Sequence, residues 1–202
     1  MKSVIAVAAP DTFAADRLVD DYDVGRENIV ELGSDQSELH SDTSGLLIYA
    51  PDDGTSAMDV SVLVSLALGA EIPILGSAVG MHRLNVALGG DVARKTPEHI
   101  ADETRRRNRN SIFLAPGAKV SSTIGGSGWL TLPCNHKKGI RQSDLAPDVM
   151  AAAIGNDRVV EAFEIPGFHW VFGVQWDVFG ATNLPRGFDN VLMAFVERAM
   201  GN

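Results

Sequence analysis

Cysteine is almost absent: Cys134 is the one thiol in 202 residues. No internal disulfide can form, so stability must come from core packing. Positive charge is also short. Against 26 Asp and Glu there are 17 Lys and Arg, a formal net charge of −9. A general nucleic-acid binder needs a basic face, and this balance argues against one while favouring solubility. The one basic cluster, RRRNR at 105–109, reads as a solvated helix end or loop on that acidic background. No apolar run approaches the ~18 residues of a membrane span. The apolar stretch in MKSVIAVAAPD is too short for a signal-peptide core. The expectation is a cytoplasmic protein with no membrane or nucleic-acid partner. Aromatic residues make up only 6%, and Trp129, Trp170 and Trp176 are expected in the core or a pocket wall.

What is present is an ordinary globular composition, 45% apolar, sufficient for one domain over residues 1–202 with a sizeable core. SVIAVAA (3–9) is a continuous apolar run of small and β-branched residues, the mark of a strand buried on both faces. DTFAADRLVDDY (11–22) reads as a helix with Asp11 as N-cap. ENIVELG (27–33) and GLLIYAP (45–51) read as strands, the latter closed by Pro51 and DDG. MDVSVLVSLALGA (58–70) is a helix, IPILG (72–76) a strand, and MHRLNVALGG (81–90) a helix stopped by two glycines. This alternation predicts a mostly parallel central sheet flanked by helices. Beyond residue 90 the texture changes. Residues 91–110 are polar and irregular, read as a helix and a mobile loop. SIFLAPG, WLTLPCN, VMAAAIG, VVEAFEIPG and HWVFGVQW are then short strands punctuated by Gly, Pro and Asn, an added antiparallel segment. FDNVLMAFVERAM (188–200) is an amphipathic closing helix.

The stretch GSAVGMHRLNVALGG (76–90) is a strand turning sharply into a helix, a geometry that displays the residue at its tip. That residue is Ala78. IPILGSAVGMHRLNVALGG, LPCNHKKGI, VVEAFE and GVQW, in this order and spacing, resemble class I glutamine amidotransferase-like proteins. The resemblance is to the γ-glutamyl-amine hydrolase branch, the peptidase C26 type, and it implies that family's flavodoxin-like α/β fold. The family's chemistry uses a cysteine thiolate at the elbow, a histidine that moves the proton, and a glutamate that orients the histidine. Carried over by position, these three fall on Ala78, Asp177 and Phe179. All three are replaced, which the resemblance reads as natural loss of the triad. Gly76 and Gly80 keep the turn for packing.

Other residues come into question at the same pocket. Asp177, at the old base position, is expected to converge with His82, one helical turn after Ala78, and with His136 and Lys137, as a rebuilt acid–base set. The competing reading makes Asp177 a solvated loop residue and His82 a capped or surface histidine. Asp52, Asp53 and Gly54 stand where the family's glycine-rich oxyanion turn lies. With Ala78, Val79 and Trp176 they are the expected ligand-binding set. Two acids there favour a cationic or neutral ligand, although Lys137 and Lys138 pull the other way. Cys134, two residues before His136, reads as a buried inert thiol. No zinc site and no cofactor are implied. Ser77 is expected to point into strand packing.

Three functions remain open on these residues. One is a degenerate hydrolase that binds a small molecule or a partner protein. The second is an enzyme with rebuilt chemistry acting on an amide-like substrate. The third is a purely structural or interaction component of a complex. A homodimer is what the family suggests.

Overall fold

The computed structural model describes residues 3–51, 58–96, 109–134, 136–180 and 184–201. In chain order the elements are β1 (Val4–Ala8), α1 (Phe13–Tyr22), β2 (Ile29–Leu32), β3 (Thr43–Ala50), α2 (Ser61–Gly69), β4 (Ile74–Ala78), α3 (Val79–Ala87) and β5 (Arg94–Lys95). They continue with β6 (Arg109–Leu114), α4 (Lys119–Ile124), β7 (Gly128–Pro133), β8 (Lys138–Arg141), β9 (Met150–Gly155), β10 (Val159–Glu164), β11 (Val171–Val174) and α5 (Asn190–Met200).

One sheet runs in the order β2-β1-β3-β4-β11-β10-β9-β6-β7. From β2 to β11 every pairing is parallel, and from β11 onward every pairing is antiparallel. The parallel strands β1 and β4 are buried at every position, as small and β-branched residues covered on both faces must be. One face packs Ile5, Leu47 and Phe172 against Leu18 of α1 and Phe195 of α5. The other packs Leu46 and Ile48 against Leu63 of α2 and Met81 and Leu84 of α3. Each such aliphatic side chain contributes roughly 1.5–3 kcal/mol on burial. The expected α/β architecture with an antiparallel addition is therefore the observed one. Among the described residues no helix is long and apolar enough to cross a membrane.

Three details differ from the sequence reading. The α1 N-cap is Thr12, and Asp11 acts one residue earlier, its Oδ1 accepting the Phe13 N–H at 3.1 Å. Helix α3 begins at Val79, directly on the strand, because the elbow leaves no linker. Trp129 is not core. It is 64% exposed on β7, an edge of the sheet, with its ring tilted against Phe113. Trp170 and Trp176 are buried.

Two glycines set how closely α3 lies on the sheet. A Cβ on Gly80 would stand 2.0 Å from the Ile48 carbonyl oxygen, and one on Gly76 would stand 2.9 Å from the Gly80 oxygen. Only glycine admits this backbone approach.

Candidate functional site

Strand β4 delivers Ala78 to the C-terminal end of the parallel strands, beside Ala50 of β3. Ala78 has φ 54° and ψ −122°, and the helix starts at the next residue. A non-glycine residue at such a positive φ costs on the order of 1–3 kcal/mol. The turn is held from behind by Ser77, fully buried, whose Oγ donates to the Trp176 carbonyl (3.1 Å) and accepts the Val178 N–H (3.2 Å). This clasp ties residues 176–178 to the elbow, so Ala78 and Asp177 each lie one residue from it. Ala78 is 6% exposed and Val79 half-buried.

Asp177 is half-buried. Its Oδ1 accepts the N–H of Phe179 at 2.9 Å, and its carboxylate accepts the hydroxyl of Tyr49. Burial first, then the adjacent Asp177 charge, raises the Tyr49 pKa and keeps that hydroxyl a donor. Asp177 makes no hydrogen bond or ion pair with His82, His136 or Lys137. Phe179 is buried edge-on against Tyr49 (5.0 Å between ring centroids) and Phe13 (5.7 Å).

His82 lies on α3 and is buried, with its Nε2 donating to Gln175 Oε1 at 2.7 Å. Gln175 stands opposite Glu161, whose carbonyl accepts its N–H at 2.8 Å, one step beyond the Ala162–Val174 pair. Side chains of directly opposed residues share a face, which puts a second polar pair next to the first. Glu161 Oε1 is 3.5 Å from His136 Nε2 and accepts from Asn110 Nδ2 at 3.2 Å. His136 Nδ1 donates to the Lys138 carbonyl at 2.7 Å. Both ring nitrogens thus face acceptors, and the Cys134 side chain is a further hydrogen-bond partner of the ring. Burial opposes a charged ring, but Cys134 and Glu161 outweigh it and push the His136 pKa up to about 10. Lys137 is exposed and uses its carbonyl to accept the Thr96 N–H.

The structure therefore brings together His82 with Gln175, His136 with Glu161 and Cys134, and Asp177 with Tyr49. Asp52, Asp53 and Gly54 lie outside the described residues. Trp176 is buried beside the elbow, edge-on to Phe188, with its Nε1 unpaired. Gln175, Glu161 and Tyr49 escaped the sequence reading as site residues. The signal for two of them was there: a lone polar residue in each of the apolar runs VVEAF and FGVQW. Among the described residues no three His, Cys, Asp or Glu side chains are arranged to ligate a metal ion.

The parallel sheet with its elbow at the strand ends defines a class I glutamine amidotransferase-like protein. Residues 53–177 match the model of the peptidase C26 family, and the chain belongs to that family. Over 132 residues it is 33% identical to a provisionally named glutamine amidotransferase of Mycobacterium tuberculosis, a match covering 62% of this chain and 41% of that relative. The chain thus spans less than half of that relative's length. A provisionally named GMP synthase protein from Thermoplasma acidophilum shares the fold with a TM-score of 0.72 at 17% identity, covering 100% of this chain and 96% of the other. A glutamine amidotransferase from Thermotoga maritima gives 0.66 at 14% identity, covering 100% of both chains. At these identities the two structures speak for the fold alone.

Proposed function

We propose that this chain keeps the amidotransferase elbow without its thiol chemistry, and that the pocket around the elbow binds a small molecule or a partner protein. The observation that carries this reading is Ala78: a strained tip conformation that presents only a methyl group. Two further features support it. Phe179, at the position assigned to the orienting glutamate, is part of an aromatic cluster with Tyr49 and Phe13 that a carboxylate could not join. Asp177, at the position assigned to the histidine, is anchored by Tyr49 and its own turn. The test is release of ammonia or glutamate from glutamine and a panel of γ-glutamyl amides. The expected result is none, from the unaltered chain and from Ala78→Cys alike, because Asp177, at the position assigned to the base, is held by Tyr49 and the Phe179 N–H. Turnover by the unaltered chain overturns the reading.

One observation favours a second reading, in which catalysis is rebuilt nearby. Cys134, His136 and Glu161 place a thiol, an imidazole and a carboxylate in contact again. A thiolate paired to an imidazolium is a nucleophile at neutral pH. On this reading γ-glutamyl-amide turnover is present and is abolished by Cys134→Ser and by His136→Gln. If Asp177→Asn alone abolishes it, the acid–base set of Asp177 with His82, His136 and Lys137 is the one in use.

A further inference from the structure

Trp170 immediately precedes β11, and Asp177 follows it, so the two lie at opposite ends of that strand. At the Trp170 end a groove of about 410 Å³ opens between α4, the last turn of α5 and residues 169–172. That volume lies within the range of small-molecule sites. Its walls carry Lys119, Arg198 and His169, and no acidic side chain lines it among the described residues.

The way the two permanent cations are held matters most. Lys119 Nζ donates to the carbonyls of Pro166 and Phe168, which fix the half-buried ammonium without neutralising it. Arg198 donates to the Ala194 carbonyl at 3.0 Å, and its guanidinium lies 5.7 Å above the Trp170 ring. Neither makes an ion pair with a described residue. Glu164, the carboxylate on the strand beside Phe172, is buried and turned to the Val120 N–H. Acids outnumber bases by 26 to 17 in this chain, so two positioned but uncompensated cations in one groove are unexpected. A cation held by an acid must give up that partner to bind an anion; these two need not. Trp170 adds a buried indole N–H that no acceptor meets.

We propose that this groove is a second binding site, remote from the elbow, for a small dianion, a phosphate monoester or a dicarboxylate, held between Lys119 and Arg198. Charge-assisted hydrogen bonds to fixed cations supply the affinity, and the guanidinium fork suits either oxyanion.

Calorimetric titration of the unaltered chain with inorganic phosphate and with succinate, at ionic strength held constant with chloride, tests this. One saturable site is expected, and the tighter of the two probes identifies the oxyanion class. Lys119→Gln and Arg198→Gln should each weaken binding by roughly tenfold, the loss of one charge-assisted hydrogen bond. Arg17→Gln, which removes a cation already paired with Asp21, should change it less than twofold. Absence of saturable binding by both probes, or equal weakening by Arg17→Gln, overturns the proposal. If Arg198→Gln loosens Trp170 and lowers the melting temperature, Lys119→Gln decides alone, and unchanged binding there also overturns it. The readout is equilibrium binding, so glutaminase assays at the elbow bear on it in neither direction.

Discussion

Ala78 and His136 show how much a single side chain can reveal. Ala78 bears backbone strain that glycine would not. Ala78→Gly relieves on the order of 1–3 kcal/mol of strain, less the ~0.5–1 kcal/mol that glycine's extra freedom costs the folded state. The expected outcome is a protein more stable by about 1 kcal/mol, read as a rise of a few degrees in melting temperature. His136 makes the stability depend on pH. Its pKa is raised in the folded state, so its contribution is fully present below the unfolded value near 6.5 and is lost as pH climbs to about 10. Urea midpoints at pH 6 and pH 10 should differ more for the unaltered chain than for His136→Gln; equal differences would show that the imidazolium adds nothing. The sequence made Ala78 conspicuous through its motif. It hid the environment of His136, because Glu161 joins that histidine across 25 positions of chain and no local pattern records the contact.

Elements were more legible than their junctions. The strands β1, β3, β4, β9 and β11 were readable because their runs are apolar, β10 because only Glu161 and Glu164 interrupt its run, and α5 because its apolar residues recur with helical period. The two-residue β5 and the polar KGIR of β8 carry no such pattern. They exist because neighbouring strands accept them. Trp129 misled because composition cannot tell an edge strand from a central one. The seat of α3 on the sheet gives a sharp prediction. Gly80→Ala drives a methyl into the Ile48 carbonyl and should cost about 3 kcal/mol or more. Gly69→Ala, where a Cβ meets nothing within 4 Å, should instead stabilise the end of α2 by about 0.5–1 kcal/mol. Denaturant curves of the two variants separate backbone crowding from helix propensity. Phe179→Glu belongs at this scale too. A carboxylate placed among Tyr49 and Phe13 should lower the melting temperature by roughly 10 °C, at least ~3 kcal/mol.

Across the whole molecule, the sheet joins a parallel half, whose strand ends carry the elbow, to an antiparallel half that supplies His136 and Glu161. Strand β11 is the seam, parallel to β4 on one side and antiparallel to β10 on the other. It also lies late in the chain, although β4, its partner, ends near residue 78. During synthesis β4 therefore waits with one side unpaired until almost a hundred further residues have been made. An unpaired apolar strand is a template for the wrong neighbour. Ribosome-released fragments ending at residue 165 should aggregate where the full chain does not. Until β11 has been made, that margin of β4 stays open to any strand that meets it.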